Sequence, residues 1–82
     1  MVAEFADEVF QPQGPVFDKK MVFVTGTAAD NADWMTVSGI TTIEGAHLMA
    51  TDGTVGAFTF ATNVLTMTNG GVLVWHGIVW GV

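Results

Sequence analysis

From residue 20 onward the chain runs in short apolar and polar alternations with no helical period. Met21-Val22-Phe23-Val24-Thr25 is rich in β-branched and aromatic residues and stops at Gly26, as a strand does. Trp34 to Ser38 alternates, with Met35 and Val37 on one face. Gly39 interrupts, and residues 40 to 50 resume the pattern. Residues 57 to 61 put Phe58 and Phe60 on one side; residues 64 to 68 put Leu65 and Met67 inward. Asp52-Gly53 predicts a type I′ hairpin turn, and Asn69-Gly70 a second hairpin. Short strands with turn signals every 8 to 12 residues predict an all-β fold, a small antiparallel sandwich or compact barrel of about six to eight strands.

The last strand, Val72 to Val82, breaks the alternation. Val72, Val74, His76, Ile78, Trp80 and Val82 fall on one face, and Leu73, Trp75, Gly77, Val79 and Gly81 on the other. A strand with one wet face shows polar residues at every second position, and this one does not. Either it is central and covered on both faces, or one face meets another subunit. Trp75, Ile78, Trp80 and Val82 are therefore the expected oligomer contacts.

The first seventeen residues read differently. Glu4, Asp7 and Glu8 are interleaved with Phe5, Val9 and Phe10, and Gln11-Pro12-Gln13-Gly14-Pro15 punctuates the chain. The segment is expected to form an N-terminal arm and Pro/Gly hinge (residues 1–17) ahead of a β-sandwich body (18–82), with Phe5, Val9 and Phe10 as its anchors. The alternative is a first strand folded back on its own domain.

Composition sharpens the question of surface. The 82 residues are 50% hydrophobic and 12% charged, about half the usual charge content, and a domain this small buries only about 60% of its unfolded surface. Thr, Ser, Asn and Gly must cover the exterior, or apolar surface must be buried between chains. The net charge of −6, with Lys19 and Lys20 as the side-chain cations, opposes binding to nucleic acid or to anionic membranes. Cysteine is absent, so disulfides and thiolate metal sites are excluded. No apolar run approaches the length of a membrane span. The start is acidic where a signal peptide would be basic, so synthesis in the cytoplasm and use without cleavage are expected.

Candidate chemistry is sparse. His47 and His76, with Glu44 and Asp52, supply zinc-ligand types without a ligand spacing, and structural or interface histidines are the preferred reading. Asp30-Asn31-Ala32-Asp33 offers oxygen ligands but lacks the longer alternation of a calcium loop, so a solvated turn is preferred. Ser38 has no nucleophile elbow around it, and Gly70-Gly71 has no phosphate-loop context. Trp34 is a candidate for stacking on a sugar, while Trp75 and Trp80 belong to the apolar strand. No catalytic residue, metal site or cofactor is expected, and the chain is read as a non-enzyme.

The succession Val22-Phe23-Val24-Thr25-Gly26-Thr27, Ile40-Thr41-Thr42-Ile43-Glu44-Gly45, Asp52-Gly53, Val64-Leu65-Thr66-Met67-Thr68-Asn69 and Gly77-Ile78-Val79-Trp80-Gly81 resembles small β-structured virion accessory proteins of tailed phages and related viruses, of the capsid-decoration or head and tail accessory type. The resemblance covers most of residues 20–82 and brings no signature motif. It implies a cysteine-free oligomeric sandwich, with a trimer favoured, that decorates or caps a capsid or tail assembly in contact with other virion structural proteins. The alternative is a small carbohydrate- or ligand-binding β module.

Overall fold

A computed structural model describes residues 3–16 and 18–82, with residues 14–16 described by backbone alone. The protein is a two-layer antiparallel β-sandwich. The larger sheet has the order β1 (Ala6–Val16), β2 (Lys19–Ala28), β7 (Leu73–Gly81), β4 (Ile43–Ala50); the smaller has the order β3 (Trp34–Thr36), β6 (Val64–Met67), β5 (Phe58–Ala61). The all-β expectation is met, and of its two forms the sandwich is the one formed.

The core lies between the sheets. The larger sheet contributes Val22, Val24, Leu48, Ala50, Trp75 and Val79, and the smaller contributes Met35, Leu65 and Met67, all buried. The strand parities read from the sequence for Met35, Val37, Leu65 and Met67 therefore hold. Trp75 is fully enclosed, and its indole Nε1 donates to Gly70 O at 2.9 Å, which satisfies the one polar group a buried tryptophan carries. Trp75 was expected at an oligomer contact, and the structure corrects this: the odd face of β7 is core. Strand β7 is central, hydrogen-bonded to β2 along nine register pairs from Lys20↔Gly81 to Ala28↔Leu73, and to β4 on its other side. At Gly77 the β4 backbone, and at Gly81 the residue before β4, comes so close that a Cβ would collide with the carbonyl oxygens of His47 and Thr42 respectively. Those two glycines let the sheet coil tightly.

The expected arm is instead an edge strand. Val9 to Pro12 pair with Thr25 to Val22, and Pro15 with Lys20. Pro12 and Pro15 sit inside the strand, not at a hinge. They are tolerated because an outermost strand leaves one row of N–H positions without a ladder partner. Phe5 is 4% exposed in the core, and its N–H donates to Trp34 O at 2.8 Å. Phe10 is half-buried against the core, and Val9 is exposed on the opposite face. Met1, Val2 and Phe17, which the arm reading also covered, lie outside the described residues.

Three turns differ from expectation. Asn69-Gly70 joins β6 to β7, strands of different sheets, so it is a crossover and not a hairpin. Asp52-Gly53 does turn the chain, with Gly53 N donating to Ala50 O and Ala50 N to Thr54 O. Only Gly53 has positive φ, at 93°, which fits a three-residue loop closing on a left-handed glycine and not type I′. The β5–β6 hairpin turns on Thr62-Asn63, with Thr62 at φ 56°, where no glycine announced it. Asp33, read as part of a solvated turn, is buried and accepts from Ala3 N at 2.9 Å and Ala29 N at 2.8 Å. These backbone donors hold its carboxyl below the ordinary range and tie the N-terminal segment to the end of β2.

Deleting residues 1–11 should therefore unfold the domain or markedly lower its melting temperature, because Phe5 and half an edge strand leave together; circular dichroism melts test this. Gly77→Ala should cost several kcal/mol, the exceptional range for a single substitution, read as a fall in the denaturant midpoint.

Candidate functional site

The outer face of the larger sheet is the surface that matters, because a two-layer protein has no third layer to cover it. The register pairs set out its rows. Met21, Trp80 and Gly45 form the first; Gln11, Phe23, Ile78 and His47 the second; Val9, Thr25, His76 and Met49 the third; Ala6, Thr27 and Val74 the fourth. Phe23 is 42% exposed, Val74 44%, Val9 49% and Trp80 36%. Residues of the first three rows line a shallow depression of about 590 Å³.

Within it the side chains support one another. A Cβ on Gly45 would run into the Trp80 indole, so the ring lies across β4 on the space the glycine leaves. Ile78 is half-buried beside Phe23 and His47. None of the lining residues carries a carboxylate, ammonium or guanidinium. At the Trp80 end Lys19 Nζ and Glu44 Oε1 pair at 2.6 Å; an exposed pair of this kind contributes little to stability. Val82, past the end of β7, is 42% exposed.

The expected contacts thus divide. Ile78 and Trp80 lie together in the depression, Val82 lies beyond it, and Trp75 is on the far side of the strand. Of the N-terminal anchors only Val9 joins this face. Trp34, the candidate sugar platform, is half-buried, paired to Thr66 and bonded through Trp34 N to Ala3 O. His47 and His76 share this face, whereas Asp52 is in the β4 turn, and among the described residues no three of His, Cys, Asp and Glu cluster as metal ligands. Met21, Phe23 and Met49 were not anticipated. The signal for the first two was present: β2 is apolar at odd as well as even positions.

A second feature lies at the start of β1. Asp7, at φ 54°, sits where the register shifts between Ala6 and Val9. Beside this bulge Glu8 has its Oε2 enclosed, with no donor to stabilise it as an anion. Burial first, then the neighbouring Glu4 carboxyl, which favours a shared proton and repels a second charge, push Glu8 up to about 7 from an ordinary value near 4.5.

No protein-family model, curated protein or solved structure matches the chain.

Because folded Glu8 keeps its proton where the unfolded chain has lost it, stability should fall as pH rises through the window from about 4.5 to 7. Glu8→Gln should flatten that slope and raise the melting temperature at pH 8. Thermal melts of both proteins across the window measure it, and parallel slopes would refute the assignment.

Proposed function

We propose that this chain is a structural, non-catalytic protein that self-associates through the outer face of its larger sheet, as a subunit that coats or caps a virion assembly. The observation that carries self-association is the uncharged apolar face of β2, β7 and β4. Large exposed apolar patches on soluble proteins mark interaction sites, and a partly exposed tryptophan within one is the residue type that carries binding energy. A second copy is the occupant argued for by charge. The chain carries −6 overall, so copies repel, and contact is tolerable only where carboxylates are absent, as they are here. The virion setting and the preference for a trimer rest on the resemblance given above, and the chain would act in the assembled particle with other structural subunits.

A carbohydrate module is the second reading. It passes from Trp34 to Trp80, whose indole lies over Gly45 in the depression that the hydrogen-bonding groups of Gln11, His47 and His76 also line.

Two substitutions on opposite faces of one strand test the first reading. Trp75→Asp places an unpaired charge in the core and should unfold the domain. Trp80→Asp should leave a folded monomer by sedimentation and circular dichroism. A wild-type chain that sediments as a monomer at micromolar concentration overturns self-association. Glycan-array binding by that monomer, lost in Trp80→Ala, would establish the second reading in its place.

A further inference from the structure

His76 and Met49 are direct register partners on β7 and β4, and His47 stands two residues before Met49 on β4, so all three side chains leave the same face. Side chains directly opposite across antiparallel strands have Cβ atoms about 5 Å apart, and diagonal ones about 7 to 8 Å. Both spacings are within the combined reach of two imidazoles and a methionine. The three residues line one depression. The strands are drawn together at this point, because Gly77, next to His76, leaves room for the His47 carbonyl to approach. Sequence spacing hid this cluster, since His47 and His76 are far apart in the chain and the third member is a methionine.

We propose that His47, Met49 and His76 form a binding site for a soft monovalent metal ion, Cu(I) or its analogue Ag(I). The donor set decides the class. Two imidazole nitrogens and a thioether sulfur suit Cu(I), whereas hard divalent ions require oxygen ligands. No carboxylate lines the depression, so the site has no anion to neutralise a divalent charge. Two imidazoles and a thioether on two adjacent strands give a three-coordinate site whose open side points away from the sheet, to solvent in a lone chain and to the second copy in an associated one. The net charge of −6 raises the local concentration of cations without placing a competing ligand in the site. All three donors belong to one chain, so the proposal stands apart from self-association.

The test is anaerobic titration of the full chain with Cu(I) against bicinchoninate, with sedimentation of the same samples. Wild type should withdraw one Cu(I) per chain from the competitor. Met49→Leu and His76→Gln should each weaken binding by about tenfold or more, since losing even an outer partner of a metal ligand costs that much. Met21→Leu is the internal control. Met21 lines the same depression but pairs with Trp80, four residues along β7 from His76 and so about 13 Å away, and its loss should leave Cu(I) affinity unchanged. Ag(I) should shift the Met49 methyl and the His47 and His76 ring signals in NMR spectra. These positions are at the surface, so near-ultraviolet circular dichroism should confirm that the variants fold. Failure of wild type to compete, equal affinity in Met49→Leu, equal loss in Met21→Leu, or one metal per two chains would each overturn the site. A monomer that binds one Cu(I) would uphold the site while removing self-association.

Discussion

The thickness of the molecule governs the rest. Eighty-two residues suffice for two layers and one interior, and the single place dry enough for Trp75 lies between them. Burying that ring sets which face of β7 turns inward, and because β7 is the axis of the larger sheet, it orients β2 and β4 too. Once the odd positions of β7 are committed to the core, Ile78 and Trp80 must face outward, and nothing in a two-layer protein remains to cover them. The apolar exterior follows from a central strand that is apolar on both faces in a domain with only one inside.

Strand content and core parity were legible because both are local. Met35 and Val37 are separated by Thr36, and Leu65 and Met67 by Thr66, and a period of two needs no knowledge of what lies opposite. The N-terminal segment was misread because its signals are ambiguous without its neighbour. Pro12 and Pro15 forbid a central strand but not an edge, and only the pairing with β2 shows that an edge is available. Asn69-Gly70 failed for a related reason: the dipeptide permits a tight turn but does not say that the flanking strands share a sheet. Thr62 failed in the opposite sense, since the hairpin imposes positive φ on a β-branched residue that disfavours it.

The outer face was half legible. The double apolar character of β7 pointed to an exposed surface containing Trp80 and Ile78, but assigned Trp75 to the same role, because alternation says that two faces differ and not which is inside. The meeting of His47, Met49 and His76 was invisible in principle. It depends on the register between β4 and β7, including the irregularity at Ile43 to Gly45, and register across nonconsecutive strands has no local sequence signature.

The borders of the larger sheet have a consequence for how matter accumulates around it. On one side, two prolines and the kink at Asp7 interrupt the donors that a further strand would need. On the other, β4 is already engaged by its own chain, Leu48 O accepting from Gly56 N and Ala50 N donating to Thr54 O. Lateral growth, the route by which β-rich chains lengthen into fibrils, is obstructed at both margins, while stacking through the flat side stays open. For this sheet, crowding thus favours pairing face to face over extension into threads.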